Sequence, residues 1–494
     1  MNNTFKFSAL LMAILMNCSI AFAQIKFEKI YGGDGYDYAY SVIQMYDNGY
    51  AVAGATSSHG LGGTDAFIMK TDSLGVVQWY KTFGGINIDR FYSINTTADS
   101  GLIAAGYTNS FGAGGYDLLL VKLDKLGNQQ WQKTYGGSNW DFAYSAQQTL
   151  DGGYIISGGS YSFGAGDEDF YLVKTDAIGD TLWTKAYGLS NEEEAKSVKQ
   201  TSDGGFVLTG HTKSFGDLTG DIFTVKTDNN GDTLWTNVYH GLQSDLGYDI
   251  LESYTGQYIL AGKSKSVGLG NYDGILLKLS ASGANDVLGS YCGTTDGGTD
   301  DDGFHSICET PTGRFAVLGY TYSFGFGQGT NDFTMYVTNP VNGFHYGSYG
   351  GTGSETGYCI RNTKDGGYII CGNSTSYSTL DHVYLIKTDS NGVSSANVIS
   401  IDTGIKDTYA NNSKIRTYPN PSSDYVTIDL SQLTANKLKL SIYNLLGEEI
   451  YTADLNQTNP DNLNVDLSNF TDGVYFITVY SEMENYSKKI IVSH

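Results

Sequence analysis

The stretch Asp169 to Trp183, DFYLVKTDAIGDTLW, decides how the whole chain is read. Near-copies, DAFIMKTDSLGVVQW, DLLLVKLDKLGNQQW and DIFTVKTDNNGDTLW, end at Trp79, Trp131 and Trp235, so with Trp183 four tryptophans stand 52 residues apart. A fixed period of this order marks a repeat architecture in which each unit buries its apolar face on the next. Outward from this stretch, the third copy reads WQKTYGG from Trp131, DFAYSAQQTL from Asp141, YIISGGS from Tyr154 and DFYLVKTD from Asp169. These runs alternate or are fully apolar and are bounded by Gly, Asp and Asn, a signature of short hairpin-linked strands. The unit is therefore read as four strands, beginning with the tryptophan strand.

Two turns recur between the strands. Asn48-Gly49, Asp99-Ser100-Gly101, Asp203-Gly204-Gly205 and Asp365-Gly366-Gly367 supply the positive φ that hairpin turns need. A second turn, D-x-x-G in most copies, places glycine at 75, 127, 179, 231, 283, 343 and 392, which counts seven units. Ser280 and Asn339-Pro340 replace the aspartate in the fifth and sixth. Seven units of four strands over residues 24–401 predict an all-β, seven-bladed β-propeller. A β-solenoid is the alternative, but its coils are shorter. The tryptophan-type strand occurs eight times, from IKFEKIYGG at Ile25 to SSANVISI ending at Ile401. The extra copy suits ring closure, with either terminus able to supply it. The D-x-x-G-x-x-x-W ending resembles the blade motif of quinoprotein-type propellers, in which the tryptophan docks between neighbouring blades. It also resembles the Asp-box turn of sialidases, with one residue more between Asp and Gly. Both resemblances imply a fold and no activity.

Residues 1–23 read as a targeting segment: Lys6, the apolar run FSALLMAILMN, then Ala21-Phe22-Ala23, with cleavage between Ala23 and Gln24. Lipidation at Cys18 is the weaker alternative, because Asn17 stands where a small residue is expected. No later stretch is long and apolar enough to span a membrane. With 52 acidic against 29 basic residues the net charge is −23, which offers no basic footprint for nucleic acid and would be repelled by an anionic membrane. Solubility outside the cell or cation binding would explain such acidity. Cys292, Cys308, Cys359 and Cys371 leave three disulfide pairings open; Cys359 and Cys371 flank the turn at Lys364 to Gly367.

Two acidic positions recur in every unit. One leads the second strand, at Asp37, Asp89, Asp141, Glu193, Asp245, Asp302 and Glu355; the other opens the fourth, at Asp65, Asp117, Asp169, Asp221, Asp273, Asp332 and Asp381. Both fall on the face that carries the longer loops. Turn structure is the favoured reading, since an aspartate accepts backbone N–H bonds there. Calcium-supported loops and direct ligand contact are the alternatives. Asp300, Asp301 and Asp302 are the strongest calcium candidates, without the alternating D-x-D-x-D-G spacing of a specific loop. No other cofactor is expected. Phe111, Phe163, Phe215 and Phe324 occupy matching places in the long loops and are the candidate ligand contacts.

Catalytic motifs are not found. His59, His211, His240, His305, His345 and His382 lack ligand spacing, Arg90, Arg314 and Arg361 are dispersed, and G-x-S-x-G, HExxH and GxGxxG contexts are missing. The expectation is a protein that is not an enzyme. It would bind an extracellular glycan or protein through its long-loop face, as in adhesion. An extracellular carbohydrate-active hydrolase or lyase, or a structural surface component, is the alternative.

Beyond a polar linker at 402–416 the period stops. TYPNPSSDYVTIDL, LKLSIYNLLGEEIY, VDLSNFTDGVYFITVY and KKIIV read as strands of a small Ig-like β-sandwich over 417–494. Tyr418-Pro419-Asn420-Pro421, Gly447, Gly473, Tyr475, Lys488 and Lys489 resemble the type A C-terminal sorting domain of the type IX secretion system of Bacteroidota. That resemblance implies the type IX machinery as partner and passage through the periplasm to the cell surface. Removal of the tail, with release or tethering of the cargo, usually follows.

Overall fold

The computed structural model describes residues 24–216, 219–239, 241–267, 271–286, 300–323, 331–339, 343–394, 398–402, 415–419, 422–431, 437–443, 449–456, 462–471, 473–480 and 485–494. Residues up to Ile401 and residues from Asp402 form two compact units.

The first unit is a ring of seven sheets. Their innermost strands are Asp37–Gln44, Asp89–Thr96, Asp141–Gln148, Glu193–Gln200, Asp245–Glu252, Asp302–Glu309 and Glu355–Asn362. Each of these lies against the next, and the seventh lies against the first, so the ring is closed. Blades are numbered here in that order. The phase of the repeat differs from the sequence expectation. The tryptophan strand Val77–Phe83 pairs with Asp65–Thr71, placing Trp79 opposite Lys70, so it closes its blade rather than opening the next. The tight D-x-x-G turn forces that pairing, and the longer connection after it crosses to the neighbouring blade.

The same logic decides the closure. Blade 7 has no tryptophan strand of its own in fourth place; the N-terminal strand Phe27–Gly32 takes it, with Ile30 opposite Tyr384 and Phe27 opposite Lys387. Val398–Asp402 is added outside as a fifth strand.

Middle strands such as Asp65–Thr71 and Tyr154–Ser160 are buried along their whole length, which is why they read as continuous apolar runs, whereas Thr181–Tyr187 at the rim of the disc is half exposed. The core is a set of layers between blades. Ala51, Ala53 and Ile68 of blade 1, for example, pack with Phe91, Leu119 and Val121 of blade 2. The period of the tryptophans has a direct cause in this packing. The Trp79 ring lies where a Cβ on Gly127 would stand, at 2.5 Å, and Gly127 holds a φ of 81°. Trp131 meets Gly179, Trp183 meets Gly231 and Trp235 meets Gly283 in the same way. Each tryptophan thus docks on the turn glycine of the following blade, and both must recur together.

The second unit pairs a sheet of Arg416–Tyr418, Tyr425–Asp429 and Asn462–Asp466 with a sheet of Glu449–Asn456, Lys437–Tyr443, Gly473–Tyr480 and Asn485–Val492. Val426, Ile428, Leu440, Ile442, Ile477 and Val479 form its core, the inward half of alternating strands.

Candidate functional site at the channel mouth

Every innermost strand carries a register shift at one place, between Ala39 and Ser41 in blade 1 and between Ala195 and Ser197 in blade 4. The same shift recurs in the other five blades. A bulge leaves one residue outside the ladder and re-aims its side chain. The residues so placed are Tyr40, Tyr92, Tyr144, Lys196, Tyr248, His305 and Tyr358, and all seven line one central cavity of about 310 Å³. Their rings touch around the channel: Tyr40 to Tyr92 at 4.6 Å, Tyr92 to Tyr144 at 5.2 Å, Tyr248 to His305 at 4.7 Å and His305 to Tyr358 at 5.3 Å. The Lys196 ammonium lies 4.0 Å from the centre of the Tyr144 ring.

Below this collar the small polar residues that follow the bulges tie blade to blade. Ser41 Oγ accepts from Ile94 N at 3.1 Å, and Ser306 Oγ accepts from Ile360 N at 3.3 Å. In blade 5 the place is taken by Asp249, buried, which accepts from Ser197 Oγ at 2.8 Å and faces Lys199 at 3.5 Å. Burial opposes its ionisation, but Lys199 and Arg361 outweigh it and lower its pKa.

Above the collar, toward the long loops, the blades diverge. The rim position two residues before the bulge is Tyr38, Arg90, Phe142, Glu194, Leu246, Gly303 or Thr356. Blades 3 and 4 bring a group of acids and bases together there. Glu168 ends the long loop of blade 3 and bridges, backbone to backbone, to Glu192 of blade 4. Glu194 pairs with Lys196 at 2.6 Å and lies 3.9 Å from His211 Nδ1. Glu192 faces His211 Nε2 at 3.6 Å and Lys213 at 2.8 Å. Glu168 is 4% exposed, and its Oε1 is buried without a hydrogen-bond partner. That oxygen sits where a Cβ on residue 159 would be, at 1.8 Å, so the glycine there admits the carboxyl.

The electrostatics separate these carboxyls. Burial, then the Glu194 charge, pushes the pKa of Glu168 up to about 8. Burial acts on Glu194 as well, but Lys196 and His211 overcome it and its pKa is lowered. The His211 hydrogen bond, with Lys213, holds Glu192 down at about 2. One carboxyl is thus kept protonated beside others kept ionised, the condition that assigns acid and base roles.

The residues expected from sequence fall elsewhere. The first repeated acid is a turn acceptor: Asp37 takes Gly33 N at 2.9 Å, Thr56 Oγ1 at 2.6 Å and Ser58 Oγ at 2.7 Å. Asp141 takes Gly137 N at 2.8 Å, Ser162 Oγ at 2.7 Å and Ser160 Oγ. The second does the same, as Gly62 N donates to Asp65 at 2.9 Å and Gly166 N to Asp169 at 2.9 Å. Asp302 is buried in the first of these positions, Asp301 accepts from Tyr272 N at 3.1 Å, and Asp300 is exposed. Among the described residues no group of three His, Cys, Asp or Glu side chains is arranged to hold a metal ion.

Phe163 stacks on Tyr171 at 5.3 Å, Phe215 packs on Phe223 at 5.3 Å, and Phe111 is half exposed. None of the three lines the channel. Cys359 and Cys371 are cross-strand partners, and with Cys308 they are buried free thiols. In the tail Tyr418 Oη donates to Asn462 at 3.2 Å, Tyr475 is buried with its hydroxyl on Thr471 O at 2.9 Å, and Gly473, Lys488 and Lys489 lie on the last two strands. Residues 1–23, Phe324, Cys292, Asn420, Pro421 and Gly447 lie outside the described residues.

Residues 416–493 match the secretion system C-terminal sorting domain. The tail is an export signal. The chain is accordingly a type IX secretion cargo, directed to the cell surface or the extracellular space. Among the described residues no helix is long and apolar enough to cross a membrane. An ulvan lyase of Nonlabens ulvanivorans is 37% identical over 78 residues, which are 15% of this chain and 14% of that protein. The chain therefore spans about a seventh of that relative's length. Among solved structures, the WD40 domain of Neurospora crassa Pan2 is similar at a TM-score of 0.45 and 9% identity, over 74% of this chain and 91% of that one. An α-L-arabinofuranosidase of Fusarium graminearum gives a TM-score of 0.37 at 10% identity, over 74% and 98%.

The expectation of a protein that is not an enzyme is corrected by the sequence relative, which is an ulvan lyase. The physical reason it went wrong is that motif reading is local. Glu168, Glu194 and His211 belong to three different strands or loops and become neighbours only at the rim.

Proposed function

We propose that the propeller cleaves a glycosidic bond at the channel mouth, with Glu168 as proton donor to the leaving oxygen and Glu194 as the ionised partner. The observation that carries this reading is the buried Glu168 carboxyl, whose Oε1 has no hydrogen-bond partner, beside the ionised Glu194. A buried polar atom without a partner calls for an explanation, and a group waiting for a substrate oxygen supplies one. Glycoside hydrolysis needs such a division of labour between two carboxyls. The tyrosine collar offers stacking faces for sugar rings just below. Lys196 and His211 keep Glu194 charged, and Lys213 does so for Glu192.

The test is release of reducing ends by the full exported chain from a panel of neutral and acidic polysaccharides. New reducing ends without an unsaturated, ultraviolet-absorbing product mean hydrolysis. The unsaturated product would mean elimination and would take the proton-donor role from Glu168. Silence across the panel, with the protein folded, would end the reading.

A further inference from the structure

Most buried lysines of the propeller have an evident structural task. Lys70, Lys122, Lys174, Lys226 and Lys387 occupy one place in their blades, and each meets its blade's turn aspartate, at 2.8, 2.9, 2.8, 2.9 and 3.0 Å. The half-buried Lys263 and Lys265 of blade 5 do not follow that rule. Among the described residues neither is within ion-pair distance of a carboxylate. Lys263 Nζ lies 4.4 Å from the Tyr272 ring centre, 5.6 Å from Tyr320 and 5.9 Å from Tyr248, and donates to Tyr320 Oη at 3.2 Å. Lys265 Nζ lies over the same Tyr272 ring at 4.4 Å. Tyr248 belongs to the collar, so this pair stands at the edge of the channel.

Two ammonium groups held at one aromatic ring repel each other, and cation–π attraction only partly offsets the loss of water. Burial lowers the pKa of Lys263; Asp301 works against that and Lys265 adds to it. Asp301 has turned one oxygen to Tyr272 N instead of to the lysines. Three blades away around the ring, Arg90 stands at the rim among Tyr40, Tyr92 and Tyr107 with its Nε buried and unpartnered. In a chain of net charge −23, these uncompensated cations gather at one opening.

We infer that Lys263 and Lys265 seat a carboxylate or sulfate of the glycan, so that the substrate is an anionic polysaccharide, with Arg90 as a second anchor across the mouth. This rests on the mouth being the glycan site. The overall negative charge does not forbid it, because repulsion from distant carboxylates is screened within about 8 Å at physiological salt while the contact charges are not. Charge-assisted bonds to such a group are short and strong.

The test is binding, separated from turnover by using the full chain with Glu168→Gln. Polygalacturonate, dextran sulfate and neutral dextran are compared by affinity electrophoresis. Retardation by one or both polyanions, weakened by added salt, with none by dextran, is expected; polygalacturonate alone identifies carboxylate and dextran sulfate alone identifies sulfate. Lys263→Met with Lys265→Met, which keeps the stems on Tyr272, should weaken that retardation by about tenfold or more. An unchanged thermal melt shows that the double variant is folded; should it not fold, Arg90→Gln is the second probe. Equal retardation by dextran, or variants that bind as the parent does, overturns the inference. Cleavage of neutral glycans with no polyanion binding would sink it and leave the proposed function standing. Polyanion binding with full activity in Glu168→Gln would do the reverse.

Discussion

The two ends of each blade have had different histories. At the tight-turn end the blades are near-copies: a lysine reaches back to the turn aspartate, and glycine takes the left-handed residue, as at Gly152 and Gly204. At the rim, equivalent positions hold Tyr38, Arg90 and Glu194, and their cross-strand partners are Ala55, Tyr107 and His211. Glu193 and Glu194 bring the contrast down to adjacent residues. Glu193 accepts Thr212 Oγ1 at 2.7 Å and Leu189 N at 2.9 Å, as its counterparts do in other blades. Glu194 has no acidic counterpart in any other blade. Positions that satisfy the backbone keep one chemistry, an Asp or Glu carboxylate in every blade, whereas positions that face the opening are free to acquire chemistry.

The largest effect should come from Glu168→Gln, which leaves the turn end untouched. Cleavage is expected to fall by about 10² to 10⁴, the usual contribution of a general acid. In the parent, cleavage should decline as pH rises through about 8, where Glu168 loses its proton. Stability should move with it. Between the ordinary carboxyl value of 4.5 and about 8, the folded chain holds a proton that the unfolded chain has released, so stability falls as pH rises across that window. Urea midpoints of parent and variant should therefore diverge between those limits, the variant losing less. A parallel pair of curves would remove Glu168 from its role and blunt the contrast between rim and turn.

Next in size, Asp141→Ala strips three donors, Gly137 N, Ser160 Oγ and Ser162 Oγ, of a buried acceptor. A loss of about 3 kcal/mol in urea unfolding is expected, since each orphaned buried donor costs about 1 kcal/mol or more. A loss under about 0.5 kcal/mol would mean that the repeated acid is not a structural residue.

Smaller again, Lys174→Met removes bonds to Asp151 and to Thr175 O at 2.9 Å. Because Asp151 keeps access to water, about 1 kcal/mol of stability should be lost, with no change in cleavage. Phe163→Ala closes the series. Its stacking on Tyr171 should contribute about 1 kcal/mol, and glycan cleavage should not change. A selective loss of cleavage there would extend the site from the rim out to the long loops.

Much of the architecture was open to reading from local chemistry. Gly127 and Trp79 can be recognised as a repeating pair because a positive φ and a bulky ring each leave a residue-level mark. The sorting domain is legible for a similar reason, as its signature residues are close in sequence. The collar was half visible: Tyr40, Tyr92 and Tyr144 keep the 52-residue step, but nothing local announces the bulge that turns them inward. The departures from the repeat at Glu194, Lys196 and His305 were the signal that could have located the site.

The sequence alone determined the number of blades, the strands, the turns and the route of export, because each depends on spacing and on the conformations that single residues allow. Only the tertiary structure decided that the N-terminal strand closes blade 7, that Trp79 belongs to the blade before it, and that Glu168 lies within electrostatic reach of Glu194. Ring closure brings together residues far apart in the chain, and a carboxyl's charge state depends on burial and neighbours, which no single stretch of sequence contains.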